Sequence, residues 1–119
     1  MYFQPQAKYA VYNRDANGDE SFQMFLYNPA TRASTLLSEE KSRNTEPVWS
    51  HSGERVVWSF SPSKGSGVSL AVINPFEPKS RRLLVESTGN YLKAYGWSPD
   101  DTQVAFCEFI GNTTSRLWL

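Results

Sequence analysis

Few side chains in this sequence belong to the types that perform acid–base, nucleophilic or metal chemistry. His51 is the only histidine and Cys107 the only cysteine. A histidine could serve as a general base or a metal ligand, and a cysteine as a nucleophile if a nearby base stabilised its thiolate. No cluster of Cys, His and carboxylate residues accompanies His51, and no basic residue lies near Cys107 in the sequence. We therefore predict that His51 is an exposed turn residue and that Cys107 is a structural residue of a strand.

One polar segment begins like a calcium-binding loop. Its alternating oxygen-bearing residues are Asp15, Asn17, Asp19 and Ser21. A calcium loop of this type needs glycine at its sixth position and a bidentate glutamate at its twelfth. Here Gly18 comes too early, and Leu26 occupies the twelfth position. The segment is therefore predicted to be a polar hairpin loop without a metal.

Three further motifs are weak indicators of function. Asn112-Thr113-Thr114 is a formal glycosylation sequon, which matters only on a secretory route. The segment 65–69 has the wrong residue order for a nucleophile elbow. Arg81-Arg82 is expected to be a solvated strand end rather than an anion site. We predict no catalytic, cofactor-binding or metal-binding residues in this chain.

Composition excludes several classes of partner. Twelve basic residues balance twelve acidic ones, which gives no electrostatic case for nucleic acid or a membrane surface. No apolar run approaches the roughly 18 residues that span a bilayer. The first residues lack the pattern of a signal peptide, and one cysteine cannot form an internal disulfide. These observations leave the cellular compartment open.

The sequence repeats itself with a period of 46 to 48 residues. Segment 49–58 aligns with segment 97–106 and, upstream, with segment 3–12. Each copy begins with an aromatic residue, continues through a polar turn and ends in an apolar stretch closed by an aromatic. An Asn-Pro pair, Asn28-Pro29, also recurs as Asn74-Pro75. Repeated supersecondary units produce this kind of pattern.

Each repeat is predicted to contain four short strands. Their residues are β-branched or aromatic, and Gly, Pro, Asn and Ser bound them. In the second unit the predicted strands are 47–50, 55–60, 69–73 and 82–85. The segments 15–19 and 63–67 are predicted to be matching loops between the second and third strands.

The turn between the first two strands has the most specific local chemistry. In Ser98-Pro99-Asp100-Asp101 the proline presets φ near −65°, and the fourth position favours a left-handed residue. Gly53 suits that position in the second unit, whereas Asp101 adopts it at some cost. From the sequence alone, replacing Asp101 with glycine is therefore predicted to stabilise the protein.

Radially repeated four-stranded antiparallel units are the blades of a β-propeller. We predict an all-β fold, an incomplete propeller of two full blades and most of a third, with repeats at about 1–46, 47–94 and 95–119. Propellers close with roughly 4–8 blades, so the ring does not close within these residues. Unpaired blade faces invite either the missing blades of a larger protein or self-association into dimers and higher species.

These residues resemble a known repeat family. The segment 47–50, the Ser98–Asp101 turn and the strand at 104–106 are similar to the TolB-like propeller repeat, roughly P-x-W-S-P-D-G followed by an apolar strand. More closely, segments 13–27, 43–50 and 112–118 resemble hairpins and blade entries of the N-terminal propeller in the prolyl oligopeptidase family of serine peptidases. His51, Ser52 and Asp101 depart from the repeat, but only in the turn.

The resemblance implies a division of labour in a parent enzyme. A separate α/β-hydrolase domain would hold the Ser, Asp and His triad, and the propeller would limit access to short peptides. None of that catalytic domain lies within the 119 residues. We therefore expect a non-catalytic propeller fragment whose partners are further blades and the hydrolase domain. The alternative is a TolB-like propeller that acts as a protein-interaction scaffold.

Overall fold

The computed structural model describes residues 1–15, 22–39, 41–62, 67–87, 89–110 and 113–118. Within these ranges the chain forms antiparallel sheets and no helix. The strands of the first sheet are β1 (Tyr2–Phe3), β2 (Ala10–Asp15), β3 (Phe22–Asn28) and β4 (Ala33–Leu36). Those of the second are β5 (Arg43–Trp49), β6 (Val56–Ser61), β7 (Ser69–Asn74) and β8 (Glu77–Val85). The third contains β9 (Tyr91–Trp97), β10 (Val104–Ile110) and β11 (Thr113–Trp118).

Neighbours in each sheet are neighbours in the chain, so every sheet is a simple meander. The backbones of the first strands of adjacent sheets lie close to each other, whereas the backbones of β4 and β8 lie within 8 Å only of strands of their own sheets. Sheets that converge at their first strands and spread at their last have the geometry of propeller blades around an axis. The predicted all-β fold, an incomplete propeller, is confirmed.

The hairpin between the first and second strands recurs in all three sheets with the same backbone bonds. The N–H groups of Ala7, Gly53 and Asp101 donate to the carbonyls three residues earlier, over 2.8, 3.0 and 2.9 Å. These same three residues have φ of 59°, 76° and 60°. The predicted left-handed fourth position is therefore present in every copy, and we call it the clamp position.

The Asn-Pro turns also recur in atomic detail. The side-chain oxygen of Asn28 accepts the N–H of Ala30 at 3.0 Å, and that of Asn74 accepts the N–H of Phe76 at 3.0 Å. Asparagine favours this position because its side chain satisfies a backbone donor two residues on. Both turns connect the third strand to the fourth.

The first strand of the second sheet begins earlier than predicted. β5 starts at Arg43 rather than at 47. A register shift between Thr45 and Val48, with Glu46 at φ 56°, breaks the β5 ladder in its middle. A bulge of this kind accommodates a proline, which cannot donate to the ladder, so Pro47 does not mark the start of the strand.

The last strand of the second sheet is longer than predicted, and its arginines are not at a strand end. β8 begins at Glu77 rather than at 82, so Arg81 and Arg82 lie within it. The added residues are exposed and polar, and they lack the apolar alternation that predicts a strand. Arg81 donates to the carbonyl of Leu37 at 3.1 Å and pairs with Glu39 at 3.0 Å. The predicted strand end is wrong for both arginines. Arg82 is exposed as expected, whereas Arg81 links the second sheet to the first.

Two apolar cores lie between the three sheets. The first contains Val11, Met24, Leu26, Leu37, Trp49, Val56, Trp58, Ala71 and Ile73, and the second contains Val57, Leu70, Leu92, Ala94, Val104 and Phe106. Alternate residues of β6 enter opposite cores: Val56 and Trp58 face the first sheet, and Val57 faces the third. The middle sheet is therefore buried on both faces, as stacked repeats require.

Several predicted features lie outside the described residues. They are the loop 16–21 with most of the calcium-like segment, residues 63–66, and Asn112 of the sequon. Among the residues that are described, no helix is long and apolar enough to cross a membrane.

Candidate functional site

The strongest polar contacts between the second and third sheets surround Asp101. Its carboxylate accepts the backbone N–H groups of His51 and Ser52, each at 2.8 Å. Its carbonyl accepts a guanidinium N–H of Arg55 at 2.5 Å, and the same guanidinium lies 4.9 Å from the ring centre of Trp97. Asp101 is only 8% exposed. Its carboxylate therefore binds the turn of the preceding sheet, a role that the sequence analysis missed.

The first and second sheets are joined at the same place by different side chains. Gln4 donates to the carbonyl of Gly53 at 3.0 Å, and Gln6 donates to the carbonyl of Ser52 at 2.9 Å. The clamp carbonyl thus accepts a donor from the preceding sheet at both junctions. A Cβ at position 53 would meet the end of the Gln6 side chain at 2.2 Å, so a larger residue there would displace Gln6 from this contact.

The environment of the turn controls the charge of both aspartates. Burial raises the pKa of Asp101, but the N–H groups of Ser52 and His51 together outweigh it and hold the pKa below 3.8. Bonds from the Thr102 and Ser98 hydroxyls lower the pKa of the exposed Asp100 to about 2. Both carboxylates are consequently ionised at neutral pH.

These contacts reverse the expected effect of replacing Asp101 with glycine. Glycine relieves the left-handed backbone by up to about 1 kcal/mol, but it removes two charge-assisted bonds worth roughly 1.5–3 kcal/mol each. We now expect Asp101→Gly to lower the free energy of unfolding by at least about 2 kcal/mol, measured by urea denaturation. Asp101→Asn is the matched control, since asparagine tolerates the same φ and isolates the charge. A higher urea midpoint for the glycine variant would contradict the assigned role of the carboxylate.

The Asp101 contribution should depend on pH. A carboxyl whose pKa is lowered by folding stabilises the protein above its unfolded pKa, and the contribution disappears as pH falls through the folded pKa. The difference in unfolding free energy between the native chain and Asp101→Asn should therefore be constant near neutrality and shrink below about pH 4. Urea titrations at a series of pH values measure it. A difference that grew on acidification would refute the assignment.

A second polar cluster joins the first strands β5 and β9. The Tyr91 hydroxyl donates to a Glu46 carboxylate oxygen at 2.8 Å, and the Lys93 ammonium lies 3.7 Å from the other oxygen. Burial, and then the hydrogen bond and charge of Glu46, raise the pKa of Tyr91 against the lowering effect of the Thr45 and Ser59 hydroxyls. The cluster lies beside a cavity of about 200 Å³ that Tyr91, Thr45 and Ser59 help to line. Sequence spacing did not indicate it, because the partners lie on different repeats.

The reactive residue types do not converge into a catalytic arrangement among the described residues. His51 is exposed in its turn, and its Nε2 lies 3.1 Å from the carbonyl oxygen of Trp97. Cys107 is 1% exposed within β10. Within the same ranges, no three His, Cys, Asp or Glu side chains are grouped so that they could hold a metal. The chemistry that the described geometry supports is recognition between sheets.

The two tryptophans that revealed the repeat make the same contact at successive junctions. The indole N–H of Trp49 donates to the carbonyl of Tyr2 at 2.8 Å, and that of Trp97 donates to the carbonyl of Val48 at 3.0 Å. In the repeat alignment Tyr2 and Val48 are equivalent residues, each preceding the aromatic of its own first strand. Each tryptophan therefore binds the first strand of the preceding sheet.

The third sheet carries a pocket at the corresponding place. We call the side of this sheet turned away from the second sheet the trailing face. It holds an open cavity of about 540 Å³, whose lining includes Tyr95, Gly96, Pro99, Gln103 and Ala105. Tyr95 is 53% exposed there. In the repeat alignment Gly96 is the equivalent of Tyr2 and Val48.

Comparison with known proteins gives a match in fold. No family model matches the sequence, and no curated protein matches it. Among solved structures, TolB from Acinetobacter baumannii aligns with a TM-score of 0.73 and 19% identity over 98% of this chain and 28% of its own. A protein assigned as TolB from Agrobacterium tumefaciens aligns with a TM-score of 0.75 and 16% identity, and the alignment covers 100% of this chain and 44% of that protein. A prolyl endopeptidase aligns with a TM-score of 0.76 and 14% identity, and the alignment covers 98% of this chain and 19% of the endopeptidase.

The chain thus spans less than half the length of each of these three structures. The alignments extend over practically all of its residues, so the likeness concerns the whole arrangement of sheets rather than one hairpin. The chain has the fold of consecutive blades of a TolB-like β-propeller, and it resembles the propeller of prolyl oligopeptidases.

Proposed function

We propose that this chain is the non-catalytic propeller segment of a prolyl-oligopeptidase-like serine peptidase, in which the assembled propeller restricts the hydrolase site to short peptides. The observation that carries the proposal is the likeness to a prolyl endopeptidase at a TM-score of 0.76, together with the hairpin and blade-entry segments that resemble that family. The described residues supply blade-to-blade recognition and no nucleophile paired with a base. Catalysis would belong to another domain.

The geometry gives the proposed role a physical basis. A gate must hold its shape, and here each junction between sheets combines an apolar core with directed hydrogen bonds. The first strands, which lie closest to the axis, carry the charged pair Glu46 and Lys93 and the hydroxyl of Tyr91. Polar groups on the innermost strands suit a passage that peptides would cross.

The test compares this chain with the longer polypeptide that the proposal requires its gene to encode. The 119-residue chain should not cleave an aminoacyl chromogenic substrate. The polypeptide encoded by the reading frame that continues past Leu119 should cleave it, and a serine-directed inhibitor should abolish the activity. Cleavage by the chain itself would overturn the proposal. So would a downstream frame that encodes only further blades and no G-x-S-x-G motif.

A second candidate is a TolB-like scaffold that binds other proteins and has no hydrolase partner. The TolB structure from Acinetobacter baumannii has the higher sequence identity, 19% against 14% for the peptidase. The same downstream sequence discriminates the two candidates, because a scaffold would end after its remaining blades.

A further inference from the structure

The two junctions between the sheets follow a repeating recognition rule. At each junction the incoming sheet supplies a tryptophan at one fixed position of its first strand, and the preceding sheet supplies a carbonyl. The incoming clamp residue also receives a side-chain donor from the preceding sheet, Gln4 at the first junction and Arg55 at the second. The trailing face of the third sheet presents the next set of these groups.

We propose that the trailing-face pocket binds an indole side chain presented by the first strand of a further β-blade, and that the adjoining turn disfavours an acidic residue at that blade's clamp position. The proposal rests on the blade-stacking part of the proposed function. It needs no hydrolase domain, so failure of the peptidase test would leave it standing.

The groups that would receive the indole are already in place. Gly96 is equivalent to Tyr2 and Val48, so its carbonyl corresponds to the two that accept tryptophan N–H groups. A Cβ built on Gly96 meets no atom within 4 Å, which leaves room above this strand. Gln103 is equivalent to Arg55 and is exposed, and its amide can donate to an incoming clamp carbonyl. Continuity with the two existing junctions thus identifies a blade as the occupant.

The turn of the third sheet differs from that of the second in a way that changes its preference. The Asp101 carboxylate binds the turn of the second sheet through the N–H groups of His51 and Ser52. The equivalent residues in the third sheet are Pro99, which has no N–H, and Asp100. An incoming carboxylate would find one backbone donor instead of two and would lie near the ionised Asp100 side chain. Like charges at such a junction repel each other.

The first sheet of a second copy provides a defined probe for the pocket. Phe3 occupies the tryptophan position of the first sheet and is 54% exposed, and Ala7 occupies its clamp position with φ 59°. The receptor is the chain with Phe3→Ala, whose own first sheet cannot donate an aromatic ring. The probe is the chain with Phe3→Trp and Ala105→Glu. The glutamate prevents the probe from also acting as a receptor. Binding in the probe's own pocket would bury the glutamate charge without a partner.

Mixing receptor and probe should give a one-to-one complex, detected by sedimentation velocity, with amide NMR shifts in the labelled receptor at Gly96 and neighbouring residues. A probe that retains Phe3 should bind about three- to tenfold more weakly, because it lacks the indole N–H. Adding Ala7→Asp to the tryptophan probe should weaken binding at least about threefold, whereas Ala7→Asn should not. Each variant alone should melt cooperatively, which confirms that it is folded.

Four outcomes would overturn the inference or one of its parts. Absence of a complex at about millimolar concentrations would refute the pocket as a binding site. A complex that survives Ala105→Glu in the receptor would show that binding occurs elsewhere. Equal affinity of the phenylalanine and tryptophan probes would assign the face to self-association through Phe3 rather than to an indole. Tighter binding of the Ala7→Asp probe would refute the preference of the turn.

Discussion

Replacing Trp58 with alanine is expected to lower the free energy of unfolding by about 3–5 kcal/mol. Trp58 is 0% exposed in the core between the first and second sheets, and its indole N–H donates to Asn44 at 2.8 Å. The truncation removes the ring from a packed core and leaves the Asn44 side-chain oxygen without this donor. Small domains have total stabilities of roughly 5–15 kcal/mol, so this loss would be a large part of the total. Urea denaturation monitored by circular dichroism measures the loss.

Trp58→Phe is the matched control. The equivalent residue in the third sheet is Phe106, which is 1% exposed in the second core, so this position accepts a phenylalanine ring. The control keeps most of the apolar contact but loses the N–H donor, and it should cost roughly 1–2 kcal/mol. If alanine and phenylalanine had equal effects, the ring would not be packed as the structure has it. A near-neutral alanine variant would contradict burial between the sheets altogether.

The repeat and its hairpin were predictable from sequence because they depend on local rules. Glycine at 53, proline at 99 and the recurring aromatic residues each satisfy a requirement within a few residues of themselves. The hydrogen bonds of the Asn-Pro turns depend on the same short range. Local chemistry at a constant period therefore predicted the number of sheets, their strand order along the chain and the left-handed clamp position.

The contacts between sheets were not predictable in the same way. Asp101 looked like a strained substitute for glycine, since its two N–H partners lie 50 and 49 residues away in the sequence. Glu46, Tyr91 and Lys93 likewise belong to different repeats. One signal was available: a residue that departs from its repeat at some local cost has a reason outside its own turn. For Asp101 that reason is the preceding sheet.

Strand ends were misplaced where exposure or irregularity removed the pattern. The predicted range of β8 is too short because the first residues of the strand face solvent and show no apolar alternation. The predicted range of β5 is too short because Pro47 resembles the start of a strand. In the structure, the register shift between Thr45 and Val48 accommodates Pro47 inside the strand. Both errors concern residues whose conformation depends on a neighbouring strand rather than on their own side chains.

Asn44 accepts the hydrogen bond of the Trp58 indole. Replacing Asn44 with leucine is expected to lower the free energy of unfolding by about 2–4 kcal/mol. Its side chain is 0% exposed and satisfies three partners: it accepts the Trp58 N–H and donates to the Phe22 carbonyl at 3.0 Å and the Ser42 hydroxyl at 2.9 Å. Leucine has the same branched shape and number of side-chain heavy atoms, so the loss would come from unsatisfied polar groups rather than from a cavity. Urea denaturation again gives the value.

A double-mutant cycle separates the Asn44–Trp58 bond from the rest of the network. Trp58→Phe alone leaves the Asn44 oxygen without a donor, and Asn44→Leu alone leaves the indole N–H without an acceptor. The double variant contains neither orphan group, so its loss should be smaller than the sum of the single losses by about 1–2 kcal/mol. Strict additivity would mean that the two side chains do not interact. The Asn44 side chain would then contribute to the junction between the first two sheets through its bond to the Phe22 carbonyl, and not through Trp58.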